Sequence, residues 1–204
     1  MTIAEVLVPA VRRGPALSRG AIEVALVFTG SAIVALSAQF TFWLPFTLVP
    51  ITGQTFAVLL VGAALGSRRG ALAMVVYLAE GGMGLPVFAQ GGLVGFAALV
   101  GPTGGYLWSL PLAAWVVGRM AESGWDRRPA TAGLAMLMGN AVIYLVGLPW
   151  LAIFFVGWEQ VLMAGFLPYV LGDLIKIILA AMLLPSAWVV IGRTHGWGGG
   201  QGPE

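Results

Sequence analysis

Apolar stretches of membrane-spanning length recur along this chain, divided by turns that carry arginine, and no other feature narrows the fold as much. Gly20 to about Phe40, Thr131 to about Phe155 and about Gln160 to Ile191 each hold the ~20 residues that a helix needs to cross a hydrocarbon core. Of the 204 residues 59% are hydrophobic and 9% charged, with mean hydropathy +0.96. An ordinary soluble domain is roughly 45–50% apolar and about 25% charged. The chain therefore reads as an all-α integral membrane protein, with room for about five to seven helices and none for a separate soluble domain.

Shorter apolar runs complete a reading of six transmembrane helices: Gly53 to Gly66, Gly70 to about Gly82, and about Tyr106 to Met120. Pro45 and Pro50 in WLPFTLVPIT (43–52) separate the first two spans, because proline interrupts a helix and restrains the residue before it. GSRRG (66–70) reads as a tight polar turn. The segment from Gly81 to Gly105, GGMGLPVFAQGGLVGFAALVGPTGG, is too rich in glycine for one straight helix and reads as a structured loop folded back on the bundle. Arg12, Arg13 and Arg19 ahead of the first apolar run look like the charged end of a signal peptide. The full spanning length of that run, and the spans after it, make it a retained helix. The expected organisation is one six-helix membrane domain, 1–192, and a flexible glycine-rich tail, 193–204.

Cytoplasmic loops hold the excess of lysine and arginine near helix ends. Arg12, Arg13 and Arg19 precede the first span, Arg68 and Arg69 separate the second and third, Arg119, Arg127 and Arg128 separate the fourth and fifth, and Arg193 follows the sixth. All fall on one side, so both termini are expected in the cytoplasm and the glycine-rich loop outside.

The residue inventory excludes several functions. No G-x-x-x-x-G-K-[ST] phosphate loop occurs, so the chain holds no motor for an ATP-driven pump. There is no cysteine and a single histidine, His195, which leaves no disulfide, thiol nucleophile, iron–sulfur cluster or His-rich metal site. Intramembrane proteolysis lacks its Ser–His pair or paired aspartates, so the chain is not read as an enzyme, and no cofactor is called for. The net charge of +2 is spent on topology, which argues against a nucleic-acid partner.

One basic residue breaks the topological pattern. Lys176, the only lysine, sits inside the sixth span three residues after Asp173, in LGDLIKIILAA, which puts both on one helix face. Charges near the bilayer centre cost roughly 2.5–3.5 kcal/mol each on insertion scales and mark a ligand or ion path by default. The other reading is an ion pair that only orients the helix. Asn140 in LMGNAVIY offers an amide to a polar solute or to a neighbouring helix. Gln54, Gln90 and Tyr106 are further polar candidates toward the outer side, and Phe88, Trp108 and Tyr144 are either pocket walls or packing and interfacial anchors. Ala21 and Ala25 form a small-xxx-small pair that lets another helix approach closely, inside the bundle or from a partner.

Taken in order, PITGQT (50–55), GSRRG (66–70), GLPVFA (84–89) with GG (91–92), GPTGGYL (101–107) and GDLIK (172–176) resemble the BioY family, the biotin-specific substrate-binding subunits of energy-coupling-factor transporters. The resemblance implies a multi-pass protein of a prokaryotic plasma membrane that takes biotin from outside and delivers it inward. A membrane coupling subunit and two cytoplasmic ATPase subunits would be its partners. It also implies that Asp173 and Lys176 line the biotin pocket and that Ala21 and Ala25 face the coupling subunit. Glu23 between those alanines, and Leu171 where the family pattern expects proline before Gly172, are departures.

Biotin presents a ureido group, an apolar bicycle and valeryl chain, and a carboxylate. Asp173 and Asn140 would then meet the ureido edge, Lys176 the ureido carbonyl or the carboxylate, and the 84–106 region, with Phe88, Gln90 and Tyr106, would cover the apolar body. Read without the resemblance, the same residues also fit a self-sufficient facilitator, or a proton-coupled carrier working through Asp173.

Overall fold

The computed structural model describes residues 1–9, 15–45 and 47–194. Arg12, Arg13 and His195 lie outside the described residues, as does the tail from 195 onward. The described chain runs α1 (Ile3–Leu7), α2 (Ala16–Ala38), β1 (Thr41–Phe42), β2 (Ile51–Thr52), α3 (Gln54–Leu65), α4 (Ser67–Gly82), α5 (Phe96–Val100), α6 (Gly104–Glu122), α7 (Pro129–Leu151), α8 (Trp158–Gly165) and α9 (Leu167–Thr194). Single 3₁₀ turns at Trp125–Arg127 and Ala152–Phe154 flank α7.

Three stretches, Arg19–Ala38, Pro129–Phe154 and Trp158–Gly192, are long and apolar enough to cross a membrane, and α3 is a shorter apolar helix. Around them the outer surface is covered with exposed leucine, valine, phenylalanine and tryptophan, such as Phe28, Leu145 and Ile178. That surface suits lipid and no aqueous medium.

At the centre stands α6, packed on α3, α4 and α7, with α2 against α3 and α4 and with α9 against α7. Lipid supplies no hydrophobic drive between helices, so their association rests on close packing through small residues. Gly62 illustrates this: a Cβ there would lie 2.7 Å from the carbonyl oxygen of Ala114 on α6. Gly118 is tighter still, with backbone atoms of Gly66 and Ser67 2.5 Å from where its Cβ would stand.

The structure corrects several sequence expectations. The polar turn expected over 66–70 is the single residue Gly66, held at φ +87°, after which Ser67 opens α4 with Arg68 and Arg69 already helical. Only glycine adopts that backbone cheaply. The carboxylate of Glu122, at the end of α6, closes the turn by accepting from the Ser67 N–H and hydroxyl, both at 2.7 Å. Burial raises the Glu122 carboxyl, but the Ser67 hydrogen bonds and Arg119 outweigh it and hold it below the usual carboxylate range.

The apolar run expected as a sixth span is two helices. α8 ends at Gly165, Phe166 leaves helical geometry at φ −131°, and α9 begins at Leu167. Pro168 follows Leu167 in the opening turn of α9, where its missing N–H costs nothing. α9 then continues to Thr194.

The loop over 43–52 is clamped by an antiparallel pair, Thr41 opposite Thr52 and Phe42 opposite Ile51, so the all-α expectation misses two short strands. The glycine-rich loop carries α5 and folds back as expected, with Phe88 buried against the core. A short N-terminal helix, α1, with a capping box from Thr2 and Glu5, was not expected. It meets Arg69, which also holds Glu23 at 2.6 Å, and so the departure at position 23 has a partner on α4.

Candidate functional site

At the end of the bundle away from the Gly66–Glu122 turn, the helices part around a cavity of about 470 Å³. Its wall comes from five places: the β1–β2 loop (Trp43, Val49, Thr52), the start of α3 (Gln54, Thr55), the loop around α5 (Phe88, Gly91, Ala98, Pro102), one face of α6 (Tyr106, Leu107, Leu110), and α7 with α9 (Asn140, Tyr144, Tyr169, Asp173, Lys176). The two loop segments roof it. They are joined where the Trp43 indole N–H donates to the Gln90 carbonyl at 2.7 Å. The Gln39 amide at the end of α2 braces the same region by donating to the carbonyls of Val87 and Phe88.

Asp173 and Lys176 fall one turn apart on α9 and both face the cavity. Lys176 Nζ donates to Asp173 Oδ1 at 3.3 Å and, across the bundle, to Thr55 Oγ1 at 3.0 Å. The Tyr144 hydroxyl donates to Asp173 Oδ2. The carboxylate is thus buried and pinned from two sides, with lone pairs left toward the cavity, and the ammonium keeps a third N–H. Such a pair is neutral overall, which lowers the cost of holding it inside a membrane domain.

Asn140, buried on α7 beside Tyr144, has no side-chain hydrogen-bond partner among the described residues. Its amide, able to donate twice and accept, faces the cavity uncommitted. A group so placed is open to water or to a polar solute in the cavity. Asp173, Lys176, Asn140 and Thr55 make one polar end of the cavity, and most of the remaining wall is apolar.

The aromatic residues divide. Phe88 packs edge-on against Tyr77 at 5.4 Å, and the Tyr77 hydroxyl links Gln54 to the Val87 carbonyl, so Gln54 belongs to a structural chain behind the wall as well as to the wall. Tyr106 lends its ring to the cavity, while its hydroxyl donates to the Gly165 carbonyl at 2.9 Å. Gly165 permits this approach, since a Cβ would lie 2.5 Å from that hydroxyl.

Two candidates stand outside the wall. The side chain of Gln90 is exposed, and only its backbone takes part, through Trp43. Trp108 is exposed on the outside of α6 with its indole N–H on the Leu99 carbonyl, an anchor rather than a pocket wall. Ala21 and Ala25 are exposed on α2, away from the cavity.

Sequence reasoning did not single out Thr55, Tyr169 or Trp43. Thr55 lies within PITGQT, and the signal available was a hydroxyl in the first turn of a short apolar span. Tyr169 is pinned through its hydroxyl to the Val49 carbonyl, tying α9 to the roof.

The arrangement can hold a small, largely apolar molecule by one polar end. Pockets of roughly 300–1,000 Å³ with a few placed polar groups are typical of such ligands. Among the described residues no group of three or more His, Cys, Asp or Glu could hold a metal ion.

A substrate-binding membrane domain of this build has known counterparts. Residues 11–193 match the BioY family, and the chain belongs to that family. It is 37% identical over 161 residues to a protein of Pyrococcus horikoshii named as a probable biotin transporter BioY, covering 79% of this chain and 93% of that one. It is also 37% identical over 163 residues to the biotin transporter BioY of Thermotoga maritima, covering 77% of this chain and 89% of that one. A crystal structure described as the S-component for biotin from an ECF-type ABC transporter has the same fold, with a TM-score of 0.73 at 22% identity, covering 84% of this chain and 93% of that one.

Proposed function

We propose that this chain is the biotin-binding subunit of an energy-coupling-factor transporter in a prokaryotic plasma membrane, binding biotin outside and delivering it inward without covalent chemistry. The observation that carries the reading is the polar end of the cavity, where a pinned carboxylate, an ammonium with a spare N–H and an uncommitted amide converge under a two-loop roof. Asp173 accepts from a ureido N–H, Asn140 complements the ureido edge, and Lys176 donates to the ureido carbonyl or the carboxylate. Rings and glycine surfaces from Phe88 to Tyr106 cover the apolar body.

Six spans with both termini cytoplasmic are the topology of this reading. Support comes from Arg19, Arg68, Arg119, Arg127 and Arg128, all at helix ends opposite the cavity. The exposed Ala21 and Ala25 support a docking face for a membrane coupling subunit, which two cytoplasmic ATPase subunits would drive.

The test is equilibrium binding of labelled biotin to the detergent-purified chain beside Asp173→Asn and Lys176→Ala. The reading expects saturable binding that weakens at least about tenfold in each folded variant, the scale of one charged hydrogen bond. Unchanged affinity in both would remove the pair from the site.

A further inference from the structure

The cavity has two unlike ends. At the polar end Asn140 and Asp173 are 5% and 8% exposed, whereas the lining toward the roof includes Trp43, Leu48 and Leu93, which are 36%, 47% and 50% exposed. Gly91 and Gly92, exposed and next to Trp43, line the same stretch without a side chain. The polar end is therefore closed, and the apolar end is a mouth at the surface.

Charge is distributed as unevenly. Among the described residues Lys176 is the one cation in the wall, and the described arginines stand near the opposite ends of their helices. Lys176 Nζ lies 3.3 Å from Asp173 Oδ1, so a ligand atom on the ammonium sits beside the ligand atom on the carboxylate. The N–H and the carbonyl of a ureido ring are such neighbours. Its two donors and one acceptor are matched by Asp173, Asn140 and Lys176, and the cation is then engaged by the ring. Toward the roof, Trp43, Tyr106 and Tyr169 commit their donors to the carbonyls of Gln90, Gly165 and Val49. A carboxylate leaves water only for a charged or hydrogen-bonding partner, and the mouth offers it no charge, so it stays hydrated there.

We propose that the site reads the ureido head of its ligand and leaves the carboxyl group unread at the mouth. Biotin capped there as an amide, including biotin amide-linked to the side-chain amine of lysine, then binds as well as the free acid. The proposal rests on the biotin-binding reading and decides between its two assignments for Lys176, in favour of the ureido carbonyl. The two exposed glycines leave room for the cap to pass.

The experiment is competition for labelled biotin on the detergent-purified chain by biotin, its primary amide and the lysine conjugate. All three should compete within about threefold of one another. A primary amide tenfold or more weaker than the acid overturns the proposal, and a lysine conjugate that fails where the primary amide binds overturns the open mouth. Lys176→Ala should weaken the acid and the primary amide by the same factor. A loss confined to the acid would put Lys176 on the carboxylate and overturn the assignment.

A converse variant adds the missing charge. Leu93→Arg, at an exposed position of the mouth, should raise the preference for acid over amide by roughly two- to fivefold at low salt, the scale of an exposed ion pair. An unmoved ratio would place the carboxyl end elsewhere and overturn the proposal. A folded wild type that binds no biotin would sink the biotin reading and this proposal together, whereas biotin bound with its amide excluded sinks this proposal alone.

Discussion

Three hydroxyl or amine groups converge on or beside one carboxylate, and their sequence separations explain why only part of the site can be read along the chain. Asp173 and Lys176 are three residues apart, and helical periodicity alone puts them on one face. Thr55 reaches Lys176 from 121 residues away and Tyr144 reaches Asp173 from 29 away, contacts that depend on how α3, α7 and α9 pack. No local pattern encodes that packing. Tyr144→Phe removes the donor to Asp173 Oδ2 while keeping the ring. Biotin affinity measured in detergent should fall by about tenfold or less, a milder loss than Asp173→Asn produces. An equal loss would mean that the hydroxyl itself meets ligand.

At the scale of elements, hydropathy located the helices because it reports the medium around them, and it failed where both halves of a break are equally apolar. The run from 160 to 191 holds two charged residues and looks continuous, yet Gly165 and Pro168 bracket the point at which α8 yields to α9. The β1–β2 pair was hidden for another reason, since its four residues sit inside a proline-punctuated segment that reads as loop. α1 escaped because five residues make no periodicity.

Helix contacts here are backbone-close, so added volume has nowhere to go. Gly118→Val should lower the thermal midpoint in detergent, by overpacking of ~1–3 kcal/mol against Gly66 and Ser67. The same joint titrates. Because the folded Glu122 carboxyl lies below its ordinary value of 4.5, its stabilisation is present above that pH and is lost as pH falls through the folded value. Glu122→Gln should therefore flatten the acid side of the stability profile measured by thermal unfolding between pH 6 and about pH 3.

For the whole molecule, the apolar helices and the roofed cavity between them point the same way, to a membrane chain that can enclose a small solute. The membrane character was legible in the composition alone. The solute itself became legible only through the ordered landmarks from PITGQT to GDLIK, since a polar-ended apolar cavity fits many small acids. In proteoliposomes holding this chain alone, biotin should bind without ATP-dependent uptake, and uptake should appear when a coupling subunit and its ATPases are added. Replacing Ala21 and Ala25 together by leucine should abolish that uptake and leave binding intact, because both residues face away from the cavity.

The central claim is that the Asp173–Lys176–Asn140 cavity is where biotin sits, and the structure of the chain solved with biotin tests it most directly. The account predicts the ureido ring within hydrogen-bond distance, up to about 3.2 Å, of both Asp173 and Asn140, with the bicycle beneath the Phe88 roof. Biotin bound elsewhere, with those two side chains untouched, would contradict it.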